Sequence, residues 1–208
     1  MTSTDLHHFL RTRRSVRRFE PQALPASVIE RILTTATYAP SAHNRQPWRF
    51  CVITSAEAKC RLADAMAADF ARDLAADGVP AEKIEAQVKR SRARLVGAPV
   101  AILLCADMSE MDSYPDAARA GAERAMALQS VAAAGTQLLL AAYAEGLGAV
   151  WVCSPLFAPA TVRRTLHLPE SWEPQAMFFI GFPAEVPEPR QRKLMQEVAM
   201  FVGGGAEE

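Results

Sequence analysis

The sequence lacks the signatures of most familiar chemistries. Its four cysteines (Cys51, Cys60, Cys105, Cys153) form no Cys-x-x-Cys pair and no zinc-ligand spacing, and its four histidines (His7, His8, His43, His167) are too scattered for an obvious metal cage. No Gly-x-Ser-x-Gly elbow, phosphate-binding Gly-x-x-x-x-Gly-Lys loop or His-Glu-x-x-His is present, so hydrolysis and metal chemistry are disfavoured and no metal is expected. Net charge is also missing. Lys plus Arg number 23 and Asp plus Glu number 23, leaving no global field to draw the chain onto nucleic acid or anionic lipid. The acidic residues fall mainly on helix faces, where they read as surface charge, and no carboxylate dyad stands out. Most of the cysteines sit in apolar runs, as reduced core thiols do, which points to a cytoplasmic setting. The first 19 residues are Arg-rich and acid-poor like a transit peptide, but lack the apolar region of a secretory signal. The one membrane-like stretch, residues 127–144, contains Gln129, Ser130, Gly135, Thr136 and Gln137, and reads as a buried core helix.

What is present is an apolar half of 208 residues, enough to bury a core as one domain spanning 1–208. Val28, Ile29, Ile32, Leu33 and Ala36 recur at helical spacing, and Pro40 closes that helix. Trp48 to Thr54, β-branched and aromatic after Pro47, reads as a strand. Residues 56–94 read as helix interrupted at Gly78 and Pro80, an exposed excursion. Pro99 to Asp107 is a continuous apolar run of strand length, expected at the centre of a sheet. A polar loop over 108–121 then precedes the long apolar helix, which stops at Glu145–Gly148. Two further buried strands are expected at "AVWVCS" and "QAMFFIGFPA", and a terminal helix and tail over 194–208. Mixed helices and strands without repeats give an α+β or α/β fold.

Three constellations are able to carry chemistry. Five arginines fall within residues 11–18, and in an extended stretch Arg13, Ser15 and Arg17 project to one side, as a phosphate requires. The same residues suit a solvated basic face or a contact between copies, and the motif alone leaves both readings open. In "APSAHNRQPWRF", residues 39–50, Asn44 and Gln46 each offer an acceptor and a donor just before a strand. That suits the alternating edge of a heteroaromatic ring, or simple turn chemistry before Pro47. Arg190 and Arg192 again stand two apart in a proline-spaced loop, either a second phosphate clamp or a solvated loop. The glycines of "EGLG" end a helix where a dinucleotide fingerprint begins one, so a Rossmann site is not expected; the strand that follows is free to line a pocket at Cys153 and Ser154.

With these three motifs in this order, the chain closely resembles the nitroreductase family of flavin enzymes over nearly its whole length. The resemblance implies an α+β three-layer sandwich forming an intertwined homodimer, with FMN at two interface sites and the long apolar helix in the dimer core. It implies that Arg13, Arg14, Ser15 and Arg17 surround the FMN phosphate and ribityl chain, with Arg190 and Arg192 as late phosphate contacts. Ser41, Asn44 and Gln46 then lie near the flavin, and Cys153 and Ser154 line its ring. NAD(P)H as donor and an electron-poor acceptor stacked in turn on the flavin follow from the same likeness. "RDLAADGVP", "SYPDAAR" and "LPESWEP" further resemble the nitroreductase-like C-terminal domain of the bifunctional glutamyl ligase that makes the deazaflavin coenzyme factor 420. That narrower likeness implies reduction of a dehydro precursor of the coenzyme, with Asp73 on a lid facing the bound deazaflavin.

Overall fold

Val100–Asp107, the strand with the longest apolar run, is buried at every position and is hydrogen-bonded on both sides. In the computed structural model, which describes residues 2–203, this strand is β2. It pairs with β1 (Trp48–Ile53) on one side and β4 (Trp172–Gly181) on the other, and β4 pairs in turn with β3 (Gly148–Val152). The order is β1-β2-β4-β3, every pairing antiparallel, which settles the class as α+β.

Side chains alternate along β2 and β4, and the alternation divides two cores. Val100, Ile102, Leu104 and Phe178 face helices α2 (Ala26–Ala36) and α5 (Ala117–Ala144), meeting Ile32, Val131 and Leu138. Ala101, Leu103, Cys105 and Phe179 face the opposite layer, meeting Leu62 of α3 (Ala56–Ala76), Leu95 of α4 (Ala81–Val96) and Val162 of α6 (Pro159–Leu166). Helices on both faces of one sheet make the expected three-layer sandwich. All four cysteines are free; burial pushes the Cys105 thiol up to about 12, whereas Cys153 is exposed rather than in the core.

Three elements depart from the sequence expectation. Ser3–Thr12 forms a helix, α1, through a capping box in which Asp5 N–H donates to Thr2 Oγ1 (3.2 Å) and Thr2 N–H to Asp5 Oδ2 (2.7 Å). Helix α5 begins at Ala117, inside the loop expected over 108–121, because Asp116 caps it by accepting from Arg119 N–H at 2.9 Å. The terminal helix shrinks to α7 (Met195–Val198), a single turn with no buried residue to hold it. Residues 204–208 of the expected tail lie outside the described residues.

Candidate functional site

The arginine segment is held at both ends. Tyr143 of α5 donates its hydroxyl to Thr12 Oγ1 (2.9 Å) and stacks on Phe9 at 4.9 Å, fixing the end of α1. The chain then runs extended along the open edge of β3: Ser15 bridges Ala149, and Val16 N–H donates to Ala149 O at 3.1 Å. Beyond it, Phe19 bridges Pro183, Ala184 N–H donates to Arg18 O (3.1 Å), and Arg18 pairs with Glu185 at 2.8 Å. The late loop therefore lies beside the early motif, enclosing a cavity of about 170 Å³ between Ser15, Arg17 and Pro187.

Within this segment the guanidinium of Arg13 is half-buried, and its Nη1 is fully buried with no partner. Burial pulls its pKa below the usual value, and the nearby Arg192 and Arg14 add to the effect. Arg14 and Arg17 donate only to main-chain carbonyls, at 2.8 Å to Arg11 O and 3.1 Å to Ser15 O. None of Arg13, Arg14, Arg17, Arg190 or Arg192 has a carboxylate within ion-pair distance among the described residues. A cluster of cations that includes a buried, unsatisfied donor is complementary to a multivalent anion. Arg190 is exposed on the same loop.

Close approach of this segment to β3 depends on Gly148, where an added Cβ would lie 2.7 Å from Val16 Cβ. Gly148→Ala is expected to push Ser15–Arg17 off the strand. The variant should lose about 1–3 kcal/mol of stability and bind a phosphate-bearing ligand at least about fivefold more weakly, as a fluorescence titration with FMN would show.

The second motif forms a strained loop. His43, Asn44 and Gln46 all adopt left-handed conformations, with φ of 51°, 55° and 51°. Such backbone persists only where surroundings over-determine it, and it concentrates at functional sites. Here Gln46 N–H donates to Ser41 Oγ (3.1 Å), Ala42 N–H donates to Ser130 Oγ of α5 (3.1 Å), and Gln46 Nε2 donates to Asn44 Oδ1 (3.3 Å). Arg45 pairs with Asp112, whose N–H donates to Glu123 Oε1 at 3.1 Å. Asn44 Nδ2 and Gln46 Oε1 keep one donor and one acceptor without partners among the described residues. Glu123 is 1% exposed, contrary to the expectation of surface charge. Its support of this loop is a role that sequence reasoning missed.

Cys153 and Ser154 follow β3 at its other end. Cys153 Sγ accepts from Trp151 Nε1 at 3.2 Å, and both residues open onto a cavity of about 460 Å³ roofed by Phe70 and Asp73 of α3 and flanked by Phe157. From Ala149, opposite Ser15, to Cys153 is about 13 Å of strand. The arginines and this cavity thus lie along one edge. The Asn44 loop does not join them within one chain. It is anchored at Ser130, about 20 Å along α5 from the Tyr143 that holds the arginine segment.

The Nitroreductase family model matches residues 10–182. A protein of Methanothermobacter thermautotrophicus named as an NADH dehydrogenase/NAD(P)H nitroreductase is 30% identical over 192 residues, covering 91% of this chain and 83% of that protein. The 5,6-dimethylbenzimidazole synthase of Rhodospirillum rubrum is 32% identical over 182 residues, covering 83% and 79% respectively. Among solved structures, a nitroreductase from Desulfovibrio desulfuricans in complex with FMN superposes with a TM-score of 0.73 at 27% identity, covering 98% of this chain and 100% of that one.

Proposed function

The chain belongs to the nitroreductase family and is an FMN-dependent oxidoreductase, and from that premise we propose that it carries two electrons from NAD(P)H to an electron-poor aromatic acceptor. The observation that carries the cofactor assignment is Arg13 Nη1, buried without a partner beside Arg14 and Arg192. A phosphate monoester supplies what that cluster lacks. Arg13, Arg14 and Arg192 hold it, Ser15 and Arg17 reach the phosphate and ribityl chain, and Arg190 extends the clamp. Cys153 and Ser154 line the ring. FMN, when bound, supplies the electron transfer between donor and acceptor. The chain's own residues orient it: Ser41, Asn44 and Gln46 present fixed donors and acceptors to the ring's polar edge, at a geometry their strained backbone holds in advance.

Asn44 reaches a flavin held by Arg13 when it comes from a second copy, so the working unit in this reading is a homodimer. Supporting it, Leu194, Met195, Val198, Met200, Phe201 and Val202 are all exposed, an apolar run without cover among the described residues. Helix α5 adds an outer face of small side chains, Ala118, Ala122, Ala125 and Ala132. A second reading of the acceptor, the dehydro precursor of factor 420, is favoured by Asp73, which lies on the roof of the same cavity as Cys153 and Ser154.

An anaerobic absorbance titration of the FMN-loaded protein separates the readings. Bleaching by NADPH or NADH, reversed by quinones or nitroaromatics, is the expected result. Bleaching only by a chemical reductant, with reoxidation by the dehydro precursor, assigns the biosynthetic role instead. No recovery with any acceptor would overturn turnover and leave a flavin-binding accessory protein.

A further inference from the structure

Helix α3 ends in an arrangement that its own electrostatics disfavour. Asp69, Asp73 and Asp77 recur at four-residue spacing on the face that roofs the 460 Å³ cavity. Like charges at that spacing repel. Asp73 and the capping Asp77 also sit at the negative end of the helix dipole, where no basic residue occupies the last turn. Only Asp69 is well compensated: the Thr161 hydroxyl and Arg72 hold its carboxyl below the usual range, with Arg72 at 2.7 Å. Arg72 reaches Asp73 at 3.3 Å, lies outside the cavity lining and is largely exposed, while Asp77 has no ion pair among the described residues. The same face of α3 also presents Met66, Phe70 and Leu74 to the cavity, and Ser91, Ser154 and Phe157 add to its lining from other elements. Phe157 is 80% exposed at its edge. A largely apolar slot whose lining holds three aspartates and no basic side chain complements a flat ring that carries positive charge.

Resting on the reading of this chain as a flavin reductase, we propose that the α3 cavity is an acceptor pocket selective for cationic aromatic molecules over anionic ones, with Asp73 and Asp77 setting the sign. Neutral quinones and nitroarenes enter on shape and apolar area alone. Acceptors bearing a carboxylate or phosphate next to the ring meet Asp73, paired only with the exposed Arg72 outside the cavity, and Asp77, which has no ion pair among the described residues.

The test uses the FMN-loaded protein and two matched pairs of probes. Binding of benzyltrimethylammonium and benzoate is measured by calorimetry, and kcat/KM is measured for 4-nitrobenzyltrimethylammonium and 4-nitrobenzoate with NADPH or NADH as donor. At low ionic strength the cation is expected to be preferred at least about fivefold in both assays, with the preference shrinking at about 0.5 M salt. In the Asp73→Asn/Asp77→Asn double variant the cation-to-anion ratio should fall toward one. Equal binding of both ions by the wild type, or an undiminished preference in a double variant that still holds FMN, would overturn the proposal. Should the double variant fail to fold, a wild-type preference that survives high salt overturns it equally. A salt-sensitive preference in binding with no turnover of any acceptor upholds the pocket's selectivity and removes the reductase reading instead.

Discussion

Arg13→Ala is expected to weaken FMN binding by at least about tenfold, and to do so without lowering the melting temperature of the FMN-free protein. The two halves of this result have one cause. In the free protein Arg13 is partly desolvated, carries a buried N–H with no acceptor, and stands near Arg14 and Arg192. Its removal relieves an unsatisfied donor and like-charge repulsion, so the apo melting point should hold or rise. With a phosphate present the same group makes charge-assisted bonds worth about 1.5–3 kcal/mol each, which converts to roughly a tenfold or larger loss of affinity. Fluorescence titration and thermal melting with and without FMN read both halves, and the cofactor's stabilising shift should shrink with the affinity. Unchanged affinity would remove the phosphate assignment. Lower apo stability would show that Arg13 is satisfied in some way that this cluster does not provide.

Gly135→Val is the substitution expected to cost most stability. Gly135 lies where α5 crosses the sheet, and even a Cβ there would stand 2.5 Å from Trp151 Cζ3 and 2.9 Å from Phe178 Cζ. Neither ring moves freely. They pack edge to face at 5.0 Å, Phe178 is completely buried, and Trp151 N–H is engaged by Cys153. Overpacking of this kind costs about 3 kcal/mol, or about 6–12 °C in a domain this size. The double variant Gly135→Val/Trp151→Leu should regain part of the loss, since the smaller side chain leaves room for the new methyls. A melting point for Gly135→Val within about 2 °C of wild type would mean that the rings yield and that the close approach is not required.

The sheet was legible because its signals are local. An eight-residue apolar run made β2 central, and alternate placement of Arg13, Ser15 and Arg17 anticipated an extended segment, which pairing of Ser15 with Ala149 provides. The missed features depend on partners far along the chain. Helix α1 buries no residue, and its apolar stripe is confined to Leu6, Phe9 and Leu10 within an arginine- and histidine-rich stretch, so the Thr2–Asp5 capping pair is its clearest local mark. The start of α5 looks like loop because Asp116, Arg119 and Gly121 break its apolar pattern, and the Glu123 that follows is buried against the Asp112 backbone. Left-handed backbone at Gln46 has no propensity behind it; Ser41 within the loop, and Ser130 and Asp112 from two distant segments, hold it in place. The motif named the residues, and tertiary structure alone set their geometry.

Helix α5 contacts the strained loop at Ser130, the sheet at Gly135 and the arginine segment at Tyr143. These three points lie on one rigid rod, so they share a phase. Inserting one residue between Ser130 and Tyr143 would rotate one end against the other by about 100° and lengthen the rod by about 1.5 Å. The loop anchor and the Thr12 tether could no longer both be met. Length changes in the connections before and after α5 carry no such penalty, because a loop absorbs an added residue without turning what it joins. Variation in this chain is therefore free at the ends of α5 and quantised within it, and the spacing of its small residues is as much a functional constraint as any side chain that touches a ligand.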